Sequence, residues 1–157
     1  MAKSSRIFSS CVLASVALGP VLLGYFVARL PDLWRLAPAL WGWAFLVGWF
    51  AIGRYLARES YHLAGLLAGV LPPIAGMVLF AQQFYLTSAE HRSQALSLLG
   101  QLYPMIAVSP SYQTMRVLGV THFDSRIVVL VAFGIMVGVF LAGFVLGMRR
   151  ISSEHQA

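Results

Sequence analysis

Apolar positions in this chain gather into four long runs, each flanked by Lys or Arg, over residues 7–28, 38–56, 63–86 and 127–148. A helix needs about 20 mostly apolar residues to cross the hydrocarbon core of a bilayer, and each run meets or approaches that length. The pattern predicts an all-α, polytopic membrane protein. It forms one domain over 1–157, a four-helix bundle of transmembrane helices with an outer loop at 87–126. The first run follows Lys3 and Arg6, as a signal peptide would. It continues far past the roughly 7 to 15 residues of a signal-peptide core, so it is read as a retained span.

The third run carries its own punctuation. Pro72 and Pro73 sit near its middle, and neither has a backbone N–H to donate. The carbonyls of Ala68 and Gly69 therefore lose their helical partners, which predicts a kinked third helix whose broken turn faces the protein interior. Gly65, Gly69 and Gly76 surround the break and allow another backbone to come close. The fourth run holds two Gly-x-x-x-Gly patterns, Gly134 with Gly138 and Gly143 with Gly147. Two uses suit them: packing of the fourth span on the third, or self-association. Broken helices also build substrate sites in transporters, so the Pro72-Pro73 break is a candidate transport element as well as a structural kink.

The outer loop has a pattern of its own. Thr87-Ser-Ala-Glu90 fits a capping box. From there Glu90, Gln94, Ser97 and Gln101 share one helical face, and Ala95, Leu98, Leu99, Leu102 and Ile106 share the other. This predicts a short amphipathic helix stopped near Tyr103 by Pro104. It suits the membrane interface, a cap on the bundle or a partner helix. A second cap signal, Thr121-His-Phe-Asp124, precedes the fourth run.

Composition supports the membrane reading. Of the 157 residues, 59% are hydrophobic and 10% charged, against about a quarter charged in ordinary soluble domains. The net charge of +6 comes from Lys and Arg at the ends of the runs, where they meet anionic headgroups and orient the chain. Lys3, Arg6, Arg54, Arg58, Arg149 and Arg150 fall on one side, and Arg29, Arg35, Arg92, Arg116 and Arg126 on the other. The first group is packed into short segments, which places both termini in the cytoplasm and the chain in the cell membrane as a multi-pass protein. No basic stripe with interleaved aromatics is present, which argues against nucleic acid.

The chemistry that reactions need is sparse. The single cysteine, Cys11, allows no intrachain disulfide and no Cys-based metal site. No Asp, Glu, Lys, Arg or His lies in the central part of any run, where a proton-coupled carrier keeps its ionisable groups. Catalytic signatures and paired carboxylates are missing. Glu90, His91, His122 and Asp124 flank the outer loop as candidate ligand contacts, with Gln82 and Gln83 at the end of the third run. Their spacing fits no metal motif, and capping or solvated roles account for them. No catalytic residue, metal or cofactor is expected. The reading is a non-catalytic accessory subunit, in contact with the lipid bilayer, that binds another membrane protein or itself. The alternative is a transport component, a homo-oligomeric pore or carrier subunit that uses the proline break.

Overall fold

A computed structural model describes residues 2–29, 38–58, 62–120, 122 and 124–154. Among them are six α-helices and no strand: α1 (Ala2–Arg29), α2 (Pro38–Leu56), α3 (His62–Ala81), α4 (Gln94–Leu102), α5 (Met105–Val117) and α6 (Ser125–Glu154). A π-helical turn, Gln82–Leu86, extends α3, and a 3-10 turn, Ala89–His91, follows. Arg35 and Thr121, used above for orientation and capping, lie outside the described residues.

Two stretches are long and apolar enough to cross a membrane: Leu63–Leu86, with mean hydropathy 2.1, and Ser125–Arg149, with 2.8. The four-span expectation is met by length and composition in these two only. α2 has 19 residues, and the described apolar part of α1 is Cys11–Phe26.

α6 is the axis of the core. Its positions Ala132, Phe133, Met136, Phe140 and Phe144 are buried at helical spacing. α2 lies parallel to it at backbone contact. A Cβ placed on Gly53 would stand 2.5 Å from the Phe140 carbonyl oxygen. One on Gly143 would overlap the Phe50 carbonyl, and one on Gly147 would meet the Arg54 carbonyl at 2.7 Å. The second Gly-x-x-x-Gly pattern thus closes on α2, not on α3. Gly134 and Gly138 are exposed, with nothing within 4 Å of a Cβ. Trp49 locks the same pair of helices. It is 2% exposed, stacks on Phe45 and donates its indole N–H to the Met136 carbonyl at 3.1 Å.

α3 runs antiparallel to α6 and stays helical through Pro72 and Pro73 as far as Ala81. The missing hydrogen bonds do not unwind it. α1 runs antiparallel to α2, so α1 begins and α6 ends at the same end of the molecule.

The single amphipathic loop helix expected from the sequence is replaced by a hairpin of two helices, α4 and α5. The Thr87 to Glu90 box is not used: Ser88 Oγ pairs with His91 Nδ1 at 2.9 Å. α4 starts later, at an N-cap formed by Ser93, whose Oγ accepts from the Leu96 N–H. Pro104 does terminate α4, but Met105 starts α5 immediately after it. A proline at the N-cap leaves no unsatisfied donor there, and the Ala107 N–H reaches the Pro104 carbonyl at 2.8 Å. α5 ends in a Schellman turn. Gly119 adopts φ +79°, the Val120 N–H bonds the Met115 carbonyl and the Gly119 N–H bonds the Arg116 carbonyl.

Candidate functional site

Two features stand out from this frame: the tip of the α4–α5 hairpin beside the proline-containing helix, and a cleft between α1 and α2.

The hairpin folds back into the core. Its start is tied to the π-helical turn, where the buried Gln83 Oε1 accepts from the Ser93 N–H at 3.1 Å. Gly100 then rests on the backbone of Phe80, with its Cβ position 3.1 Å from Phe80 Cα. Three residues on, Tyr103 reaches Gly76 and stacks on Phe133 with ring centroids 6.2 Å apart. Gly76 lies ten residues before the end of the π-helical turn, which puts the hairpin tip about 15 Å below that end of the helix. On the other flank the Leu102 carbonyl occupies the space a side chain at Gly24 of α1 would need. α5 returns past α2, with Pro110 seated on Gly42 and Gln113 accepting from Trp43 Nε1 at 2.8 Å.

The faces of α4 are distributed differently from the amphipathic pattern. Ser97 and Gly100 turn toward the core, whereas Leu98 and Leu99 are 57% and 48% exposed. Inside α5, Ser111 and Thr114 return their hydroxyls to the carbonyls of Ala107 and Pro110, at 2.6 and 2.9 Å.

Around the break, Gly65, Gly69, Pro73 and Gly76 are buried, and Ala68 and Pro72 are partly so. The ring of Phe140 lies over Gly69, and that of Phe133 approaches the Gly76 Cβ position at 2.9 Å. Stacked rings therefore fill the interior beside the prolines. The polar groups there are few. Tyr103 Oη and Ser97 Oγ are buried and have no hydrogen-bond partner. A buried unpaired hydroxyl costs about 1–3 kcal/mol of desolvation. Tyr103→Phe keeps the ring stack and removes that cost, so it should raise stability by about 1 kcal/mol or more in detergent unfolding. A loss of stability would mean that the hydroxyl is bonded.

Several of the candidate ligand contacts have local partners. Glu90, His91, His122 and Asp124 are exposed. Asp124 caps α6 by accepting from the Arg126 N–H at 2.9 Å. Gln82 is exposed, and its carbonyl takes the Thr87 hydroxyl at 2.9 Å. Arg92 and Arg126 lie over the rings of Phe84 and Tyr85. Among the described residues no three metal-ligating side chains come together.

The cleft encloses about 480 Å³ between α1 and α2. Cys11, Ser15 and Gly19 supply one wall, and Gly48, Trp49 and Tyr55 much of the other. A Cβ at Gly19 or Gly48 would meet nothing within 4 Å. Val16, Trp49 and Leu56, which line the cleft, are buried in one apolar cluster. The hydrogen bond from Trp49 ties that wall to α6. Sequence reasoning passed over this feature. Its signal is the small residues at Cys11, Ser15 and Gly19, four apart, which leave one flank of α1 shallow.

No protein-family model matches the chain, no curated protein matches it, and no solved structure matches it.

Proposed function

We propose that this chain is a four-span, non-catalytic subunit of the cell membrane, and that it binds a transmembrane helix of another membrane protein in the α1/α2 cleft. One observation carries the membrane part. In the two most apolar helices only 28% and 39% of the spanning window is buried. The rest presents residues such as Leu67, Leu71, Val78 and Val145 outward. A water-soluble protein rarely leaves so large an apolar surface uncovered, whereas lipid solvates it at no cost. In that frame α1 and α2 are the other two spans, and the α4–α5 hairpin is a re-entrant element. Its tip is non-helical backbone at membrane depth, tolerated because protein surrounds it. Both termini lie on the cytoplasmic side, where Lys3, Arg6, Arg54, Arg58, Arg149 and Arg150 gather.

The cleft supports the partner part. It is apolar, opens sideways between two helices and offers Ser15, Gly19 and Gly48 as a shallow seat. Small residues let a third helix approach closely enough for dispersion contacts to hold it. The test uses the full chain, tagged and extracted in mild detergent, with bound species read by native mass spectrometry. Wild type should retain a second protein at fixed stoichiometry. Gly19→Leu with Gly48→Leu fills the cleft where the fold has room, so the partner should be lost at an unchanged melting midpoint. A pure homo-oligomer, or a partner that survives the double substitution, would overturn the reading.

The hairpin favours a second reading, a transport component. Its tip meets the proline-containing helix, as in carriers built on broken helices. The ring stack on Gly69 and Gly76 fills the path such a carrier needs. Flux in liposomes that disappears on replacing Pro72 and Pro73 by Leu, with the complex intact, would make this the working function.

A further inference from the structure

The end of the molecule where α1 begins and α6 finishes holds a buried donor with no partner among the described residues. Arg54 lies in the last turn of α2, and its Nε is buried without a hydrogen-bond partner. Its backbone cannot withdraw, because Gly147 of α6 packs against it, with the Gly147 Cβ position 3.2 Å from Arg54 Cα. Arg58 is exposed one turn beyond, about 6 Å further along the axis. Arg149 is exposed at the same end of α6. Of the acidic residues whose side chains are described, Glu90 and Asp124 stand at the opposite end beside Gln82–Leu86 and the start of α6; the side chain of Glu154, which closes α6, and Glu59 lie outside the described residues. The facing residues of α6, Gly143, Phe144 and Gly147, bring no side-chain acceptor. Among the described residues nothing accepts from the buried Arg54 Nε, which leaves it open to an acceptor from outside the chain.

We propose that Arg54 and Arg58 form a binding site for the phosphate of an anionic phospholipid at the cytoplasmic end of α2. The inference rests on the membrane reading above and adds a ligand to it. A guanidinium forms paired, charge-assisted hydrogen bonds to phosphate oxygens, a geometry an ammonium does not offer. Two of them one turn apart suit a phosphodiester bound at headgroup level. Arg54, deeper and partly covered, meets the phosphate from the hydrocarbon side, and Arg58 meets it from the water side. A zwitterionic headgroup presents the same phosphate together with its own ammonium, which two arginines repel. The site should therefore select net-negative lipids. The glycine contact that pins Arg54 makes the site a property of the α2–α6 pair, so a bound lipid tightens that packing.

The experiment measures lipid retention on the full chain in mild detergent by native mass spectrometry, with phosphatidylglycerol and phosphatidylcholine supplied in equal amounts. Wild type should retain phosphatidylglycerol over phosphatidylcholine by about tenfold. Arg54→Gln with Arg58→Gln should abolish the preference, and Arg54→Lys should keep part of it. Arg126→Gln, a loss of the same charge at the other end, should leave it intact. Melting midpoints of all variants establish that each is folded. Equal retention of the two lipids by wild type, or an equal loss in Arg126→Gln, overturns the proposal. Displacement of phosphatidylglycerol by excess inorganic phosphate overturns the lipid as source and assigns the pair to the free anion. Alkaline carbonate washing of native membranes separates the two levels. A chain released into the wash defeats the membrane reading itself, and a retained chain without lipid preference defeats only this site.

Discussion

Gly143→Ala should destabilise the protein by about 3 kcal/mol, while Gly138→Ala, five residues earlier in the same helix, should be neutral or stabilising by up to about 1 kcal/mol. Both glycines belong to Gly-x-x-x-Gly patterns in α6. They differ in what their missing side chains leave room for. The Cβ of an alanine at 143 would overlap the carbonyl oxygen of Phe50. Backbone atoms have no alternative rotamer, so α2 and α6 must separate, and the packing around Trp49 and Phe140 separates with them. At 138 the same methyl meets nothing within 4 Å, and what remains is the better helix propensity of alanine. Unfolding of the two variants in detergent with denaturant, side by side, checks the difference. Equal effects would mean that α2 does not close on α6 at Gly143.

The second large effect concerns the proline break. Gly69→Ala should be severely destabilising in the wild-type protein, by about 3 kcal/mol, because the new methyl would occupy the ring of Phe140. Phe140→Ala alone should cost about 3–5 kcal/mol, since that ring is fully buried and lies 5.5 Å from Trp49 and 6.2 Å from Phe144 between centroids. The double variant should be less destabilised than the sum, with a coupling of about 1–3 kcal/mol, because the cavity left by the ring accepts the methyl. Additive effects would place Phe140 away from Gly69 and reopen the interior path beside Pro72 and Pro73.

Much of the local structure was legible in the chain. The break near Tyr103 followed from Pro104, because a proline nitrogen cannot donate into the preceding turn. A helix start just after the cap signal over 121–124 followed from the side-chain chemistry of helix starts. The cap the structure describes is the last residue of that signal, Asp124, at the position before Ser125. Both depend on neighbours in sequence. The hairpin did not follow. Its two helices are short, and the leucines of α4 read as a face seeking a core. In the structure Ser97 and Gly100 turn inward and Leu98 and Leu99 outward. Where the surroundings are apolar, large side chains gain nothing by burial. Close approach of backbones then decides which face packs, and that favours small residues.

The sequence by itself determined where the apolar runs lie, where proline stops a helix, and that only 10% of the residues carry a charge. These follow from hydropathy and from backbone donors and acceptors, which are properties of single residues and their immediate neighbours. Only the tertiary structure decided that Gly143 and Gly147 are occupied while Gly134 and Gly138 are open. The same holds for Gly24 and Gly42, which seat the hairpin, and for the cleft that α1 and α2 leave between them. A glycine announces that something fits close to it. What fits is a relation between helices distant in the chain, set by which surfaces interlock when all of them pack at once.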